Sequence, residues 1–284
     1  MRVLVAGAGY VGAQLAQRLA RVGHEVLALR RSAPPPLASG TSASGDVRWL
    51  ACDLCDARAL EALPLAGIDA LAYLVAADAR DDAAYRRAYV DGLANLLARV
   101  RSGSTLQRVL FVSSTSVYAQ DDGSWVDEAS PTLPAQFSGQ RVLEGEAALR
   151  ASGCEAVALR LGGIYGPGRT SLLERVRSGA AQLPSAPHFT NRVHRDDAAR
   201  ASEHLLSLPR VAPCYVGVDC EPADQSDVLR WLAGRLGASP PRGVPAANAV
   251  PASGKRCKND LLRASGFEFA YPSYREGYGA LLSR

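Results

Sequence analysis

Three glycines near the start of the chain, Gly7, Gly9 and Gly12, have the spacing Gly-x-Gly-x-x-Gly. In a strand-to-helix turn of that kind the first glycine permits the reversal. The second lets backbone approach a pyrophosphate, and the third lets the helix pack on the strand. Tyr10 and Val11 lie between them and would bring the first amides of the helix to face the anion, which a helix N-terminus favours. The spacing alone is weak in a chain with 26 glycines. Its place after an apolar run over residues 3–6 and before a helical stripe is what gives it meaning. About 20 residues further on, an NAD site would carry an acid to hold the ribose hydroxyls. Here the positions are Arg30 and Arg31. A carboxylate would repel a 2′-phosphate, whereas a guanidinium pairs with it bidentately. The pattern therefore predicts NADP as cofactor. NAD remains the alternative if both arginines are only solvated charges at a strand end.

The surrounding pattern supplies the elements that such a turn needs. Val11, Leu15, Leu19 and Val22 form one helical stripe, and Gly23 is a stop. Strands are expected over residues 25–29, 47–50, 70–75, 108–112 and 156–161, with helices over 82–101 and 136–150. This alternation predicts an α/β protein, a doubly wound parallel sheet of Rossmann type with right-handed crossovers. Residues 32–45, with three prolines, read as a loop. Beyond Gly162 the pattern loosens into short helices over 171–178, 197–208 and 225–236, joined by Pro- and Gly-rich segments. The expected organisation is a nucleotide-binding domain over residues 1–161 and a smaller α/β lobe over 162–284. That lobe would cover the ligand cleft and return in places to the main sheet. Residues 240–254 read as a breaker-rich connection.

Composition excludes several classes. Hydrophobic residues make up 48% and charged residues 21% of the 284, as in a globular chain. No apolar run reaches the roughly 18–20 residues of a membrane span. A net charge of +4 gives no argument for a nucleic-acid or membrane partner. The first residues read as a buried strand rather than a signal peptide, so a cytoplasmic location and reduced thiols are expected. Cys52-Asp53-Leu54-Cys55 formally reads Cys-x-x-Cys but has no second pair at matching spacing, so no metal site is expected. Lys255 and Lys258 are the sole lysines.

With these elements in place, nearly the whole chain resembles the extended short-chain dehydrogenase/reductase superfamily, of the NAD-dependent epimerase/dehydratase type. Ala51-Cys52-Asp53-Leu54 resembles the acidic turn after the third strand, which implies that Asp53 and Leu54 lie against adenine. Leu74-Val75-Ala76-Ala77 resembles the strand end along the cofactor. Phe111-Val112-Ser113-Ser114-Thr115-Ser116-Val117-Tyr118 is similar to the family's next strand and turn. Leu159 to Gly168 resembles its junction to the lobe, and Asn191 to Asp197 its late segment near the cleft. The resemblance implies Ser113 as a cofactor contact and Ser114 as the hydrogen-bond donor to a substrate oxygen.

The departures matter equally. Where the family places its acid–base tyrosine and, four residues on, its lysine, this chain has Phe137 and Arg141. Phe137 has no proton to give. Arg141 could bind ribose hydroxyls but is useless as an acid or base. Tyr89 replaces an expected asparagine, and Gly163 stands where sugar-nucleotide enzymes often have another. The pattern resembles the superfamily's atypical branch, which keeps the cofactor fold without the usual tetrad. Ser114, Arg141 and Tyr118 are the catalytic candidates, with Tyr89, Tyr165 and His194 as further sources of an acid. His194 reads rather as a structural residue bonded to backbone. His188 and Arg192 could bind an acidic substrate group but read more readily as a solvated face. Three functions stay open: an NADP-dependent oxidoreductase of a small carbonyl or hydroxyl substrate with a rearranged acid–base group, a catalytically degenerate NAD(P)-binding sensor or scaffold, and a sugar-nucleotide epimerase or dehydratase. The superfamily often pairs through its two long sheet-flanking helices, which implies a homodimer as one option.

Overall fold

The computed structural model describes residues 1–32, 47–101, 106–243 and 251–283. All of the loop expected over 32–45 except Ser32 lies outside them, as do residues 244–250 of the later connection. Seven strands form one mostly parallel sheet: β1 (Arg2–Ala6), β2 (Glu25–Arg30), β3 (Val47–Ala51), β4 (Ala70–Tyr73), β5 (Arg108–Ser114), β6 (Glu155–Leu161) and β7 (Cys214–Gly217). Their spatial order is β7-β6-β5-β4-β1-β2-β3. Val3 to Ala6 and Val26 to Ala28 are wholly buried. Continuous apolar strands of this kind need cover on both faces of a parallel sheet.

The strand order reverses between β1 and β4, and in an open α/β sheet ligands bind beyond the carboxyl ends of the strands at such a point. Register fixes which residues these are. Ala6 pairs with Leu29 and Tyr73, Arg30 with Ala51, and Tyr73 with Phe111. The segments after residues 6, 30, 51 and 73 therefore leave the sheet along one edge, where β5 runs on past Phe111 to Ser114.

Helix α1 (Gly12–Arg21) follows β1 and buries Leu15, Ala16, Leu19 and Ala20. Val22, expected on the same stripe, is 61% exposed, because the helix ends at Arg21 and Val22 turns away as its C-cap. The single helix expected over 82–101 is interrupted: α2 (Asp82–Arg86) and α3 (Gly92–Arg101) flank one π turn, Arg87–Asp91. Such a turn frees a carbonyl from the α-helical pattern. Here the buried Tyr73 hydroxyl donates to Ala88 O at 2.5 Å. Gly92 lets that hydroxyl come close, since a Cβ there would meet it at 2.9 Å. The strand expected over 70–75 stops at Tyr73. Helix α4 (Phe137–Arg150) and helix α5 (Arg195–Ser207) follow.

The chain divides into two units. The first comprises Met1–Val117, Thr132–Arg160 and Ala198–Tyr215, and the second Tyr118–Pro131, Leu161–Asp197 and Val216–Arg284. Within the second, the strand Gly163–Tyr165 pairs in parallel with Arg192–His194. His188–Thr190 lies between Ala223–Asp224 and Ser253–Gly254. Its core gathers Leu173, Val176, Val228, Leu229 and Leu232 around Tyr165, Tyr274 and Tyr278.

Candidate functional site

The glycine turn has the form the spacing predicts. Gly7 sits at φ +85°, and a Cβ there would lie 2.5 Å from the Leu74 and Val75 backbone. No other residue fits. Gly12 lies so close beneath the turn that a Cβ would meet Gly7 O at 2.4 Å, whereas a Cβ on Gly9 would meet nothing within 4 Å. Two glycines are thus required by the protein itself, and the third keeps a space empty. The Gly7 and Ala8 amides are tied to Leu29 O at 3.1 and 2.8 Å, which anchors the turn to β2. No side chain caps α1, and its first turn carries no acid. That is the electrostatics an incoming phosphate requires.

At the end of β2, Arg30 donates to Ser32 Oγ at 3.1 Å. Arg31 donates to Asp78 Oδ2 at 2.5 Å, and Asp78 also lies 4.0 Å from Arg87. The hydrogen bond from Arg31 holds the Asp78 carboxyl below its ordinary range. Sequence reasoning missed Asp78, for no local signal ties it to Arg31. Asp53 accepts the Cys55 amide at 2.9 Å. The Leu54 carbonyl accepts Asn95 Nδ2 at 3.1 Å, so α3 fixes the height of this turn. Ala76 is exposed and Ala77 half-buried beyond β4.

The π turn sets the position of Tyr89. Its ring lies 5.4 Å from that of Tyr85 and 6.3 Å from that of Phe111, and Tyr85 stands edge-on to Phe137 at 5.4 Å. Burial pushes the Tyr89 phenol up to about 12, opposed in part by the Ala77 backbone amide. At neutral pH this phenol keeps its proton. Phe137 therefore closes an aromatic row that leads back to the ends of β4 and β5.

Ser113 is buried, and its hydroxyl donates to Glu146 Oε1 at 2.6 Å. Glu146 is also held by Arg160 through Nε and Nη2 at 2.9 and 2.8 Å. Ser114 Oγ accepts the Ser116 amide at 3.1 Å. Gly139 lets α4 press against this turn, since a Cβ there would lie 2.4 Å from Ser116 O. Arg141 is committed elsewhere: it grips Asp82 bidentately at 2.8 and 2.9 Å and Glu144 at 2.7 and 2.9 Å. These carboxylates, Asp82 foremost, raise its pKa further. The structure thus brings the glycine turn, Arg30, Arg31, Asp53, Ala77, Ser113 and Ser114 to successive strand ends of the first unit, and it occupies Arg141 with two acids.

The remaining candidates belong to the second unit. Tyr118 is 2% exposed. Tyr165 packs over Gly277, where a Cβ would overlap its hydroxyl, and stacks on Tyr278 at 4.5 Å. His194 is buried and its Nδ1 accepts the Asp196 amide at 3.2 Å, as expected of a structural histidine. Asp197, fully buried, accepts the Ala270 and Tyr271 amides at 2.9 and 2.8 Å. His188 Nδ1 is bonded to Ser253 Oγ at 2.8 Å. Arg192 corrects the expectation of a solvated face: it is 8% exposed, because its strand is covered by the helix Tyr274–Leu282.

A mostly parallel, doubly wound sheet with a phosphate-type glycine turn at its switch point defines a Rossmann-type dinucleotide-binding enzyme fold. The chain belongs to the NAD dependent epimerase/dehydratase family, which matches residues 3–208, and hence to the extended short-chain dehydrogenases/reductases. It is 31% identical to a 3-diazoavenalumate denitrifying reductase from a Streptomyces species, over 98% of this chain and 99% of that protein. It is 28% identical to the 2-alkyl-3-oxoalkanoate reductase of Stenotrophomonas maltophilia (strain K279a), over 84% and 76%. A solved structure from Methylobacillus flagellatus, assigned to the NAD-dependent epimerases/dehydratases, is 38% identical with a TM-score of 0.83 and covers 99% of this chain and 97% of its own. The human epimerase family protein SDR39U1, solved with NADPH, has the same fold at 21% identity and TM-score 0.81, covering both chains fully. The chain is an NAD(P)-dependent enzyme of the oxidoreductase or epimerase/dehydratase kind. No helix among the described residues is long and apolar enough to cross a membrane.

Proposed function

We propose that the chain is an NADP-dependent reductase of a small carbonyl compound, with an acid–base group other than the family's tyrosine. The observation that carries this reading is the end of β2, where Arg30 and Arg31 replace an acid beside a glycine turn whose Gly9 leaves open space. The residues fit a dinucleotide: α1 and the turn would hold the pyrophosphate, Arg30 and Arg31 the 2′-phosphate, Asp53 and Leu54 the adenine side, and Ala76, Ala77 and Ser113 the remainder. When bound, the cofactor supplies hydride. The protein's part is to orient the substrate oxygen and give it a proton. Ser114 is the proposed donor to that oxygen. Tyr118 and Tyr89 are the candidate acids, and Tyr89 is supported by its place beside Ala77. Arg141 serves as a positioning residue, holding α4 to Asp82.

Both reductase-named relatives support reduction over epimerisation, and the name of the second supports a 3-oxo acid as the substrate type. The saturation of Arg141 by Asp82 and Glu144, next to an aprotic Phe137, favours a second reading, an NADP-binding sensor without turnover. One experiment separates them. Purified protein is titrated with NADPH and NADH, and NADPH consumption is then followed with 3-oxoalkanoates. The reductase reading expects tighter NADPH binding, turnover, and loss of about 10²–10⁴-fold in Tyr89→Phe or Tyr118→Phe. Tight NADPH binding with no consumption selects the sensor, and equal affinity for both dinucleotides removes the NADP assignment.

A further inference from the structure

The second unit holds a cavity of about 660 Å³ that the reading above leaves unused. Ile164, Leu172, Tyr165 and Tyr278 give it an apolar wall, and Arg192 stands on its polar side. Several other polar groups on the wall are already engaged. Asn191 bonds Lys255 O at 2.9 Å and the Cys257 amide at 2.7 Å, Glu174 accepts the Thr170 hydroxyl at 2.5 Å, and Arg169 donates to Ile164 O at 2.9 Å.

Arg192 is buried, donates to Thr190 Oγ1 at 2.6 Å, is hydrogen-bonded to Tyr278, and lies 5.9 Å from the Tyr274 ring. Among the described residues no carboxylate forms an ion pair with it. Just beyond the end of β7 stands Asp219, whose amide donates to Arg192 O at 2.6 Å. Asp219 is 1% exposed: Oδ1 takes the Glu221 amide at 3.2 Å, and Oδ2 has no hydrogen-bond partner. Burial pushes its carboxyl up to about 8, against the pull of the Glu221 amide and Arg192 and with the help of the Glu221 and Glu276 charges. At neutral pH Asp219 is therefore largely protonated, and among the described residues no ion-paired carboxylate accompanies the buried charge of Arg192. Burying such a charge is costly unless an anion accompanies it, and a planar guanidinium on a cavity wall matches a carboxylate.

We propose that this cavity binds the carboxylate of a small organic acid, with Arg192 holding the anion and Tyr165, Ile164, Leu172 and Tyr278 covering an alkyl or aryl body. The catalytic meaning rests on the reductase reading, for which it names the substrate class; the binding itself does not. A pH dependence follows from the groups around Asp219. They are Arg192 on the neighbouring strand, Glu221 on its own turn, Glu276 and Tyr278 on the C-terminal helix, and Tyr165. Glu276, bonded to the Ser273 hydroxyl, is held below its ordinary range, and burial raises both tyrosines. Asp219 therefore gains its charge across the weakly alkaline range and then competes with the ligand for Arg192.

The test is a calorimetric titration of the whole chain, without dinucleotide, using 4-phenylbutanoate, its neutral amide and inorganic phosphate. The acid is expected to bind at least about tenfold more tightly than the amide or phosphate, and Arg192→Gln to lose about tenfold or more. Between about pH 6.5 and pH 9 the wild type should lose several-fold in affinity while Asp219→Asn does not. NADPH titration of each variant reports whether it is folded. If Arg192→Gln is not, Arg192→Lys, which keeps the charge and loses the fork, is expected to bind several-fold more weakly. Equal binding of acid and amide, phosphate binding as tight as the acid, or unchanged affinity in the Arg192 variant overturns the proposal. Acid binding without NADPH consumption defeats the reductase reading alone. Turnover of 3-oxo acids with a KM unmoved by Arg192→Gln defeats this proposal alone.

Discussion

Replacing Glu146 by leucine should show how the catalytic-side strand ends are held. Glu146 is fully buried on α4 and receives three close hydrogen bonds, from Ser113 on β5 and twice from Arg160 on β6, with Arg150 at 3.5 Å besides. Burial alone would raise its carboxyl, but the bonds from Arg160 and Ser113 and the Arg150 charge outweigh this and leave it below the ordinary range. Glu146→Leu takes the carboxylate from an arginine that is 5% exposed. Breaking a buried pair from one side costs about 3–5 kcal/mol, a large share of the roughly 5–15 kcal/mol that holds a typical domain folded. The double variant Glu146→Leu/Arg160→Met removes both charges. It should recover most of the loss, because a buried pair differs little in net stability from an apolar pair of similar volume.

The assay is urea unfolding of wild type, both single variants and the double variant, read as a thermodynamic cycle. The coupling energy should be about 2 kcal/mol or more. The sign with pH is fixed as well. Since the folded carboxyl lies below its unfolded value of about 4.3, its contribution is complete above that value. It is lost as the pH falls toward the folded value, a slope the leucine variant lacks. A loss under about 1 kcal/mol in Glu146→Leu, or a double variant as unstable as the worse single one, would refute the account.

Four further outcomes are expected. Gly7→Ala should destabilise the protein, since the added Cβ meets backbone at 2.5 Å and φ is +85°. Gly9→Ala should leave the urea midpoint in place while weakening NADPH binding in a fluorescence titration. Asp78→Ala frees Arg31 from its carboxylate and should tighten NADPH binding by several-fold with little change for NADH. Equal changes for the two would show that Arg31 does not meet the 2′-phosphate. Asp219→Asn should change the pH profile of stability. A carboxyl moved from 3.8 to about 8 favours the folded state fully below about pH 4 and loses that contribution as the pH rises to its folded value. The loss is roughly 5–6 kcal/mol at most. The variant should gain on wild type between pH 5 and pH 9 in denaturant titrations, and parallel profiles would exclude an ionising Asp219.

What the sequence made legible, and what it hid, divides along sequence separation. The glycine turn, the apolar strands and the arginines ending β2 are local patterns, and each kind of pattern has one physical solution. The order of the sheet follows because right-handed crossovers leave few arrangements. The buried charges have no local signature. Glu146 sits in a helix among alanines, glycines and arginines and reads as a solvated residue until β5 and β6, 33 and 14 residues away, supply its partners. Arg31 and Asp78 are 47 residues apart. Arg192 lies in a segment that reads as polar, yet the helix Tyr274–Leu282 covers it. The π turn likewise depends on a hydroxyl 15 residues back on β4. The same limit bears on catalysis. Phe137 could be seen to have no proton to give and Arg141 none to release, but that Asp82 and Glu144 already hold Arg141 required the fold. An arginine so held cannot turn to a ribose without breaking four hydrogen bonds.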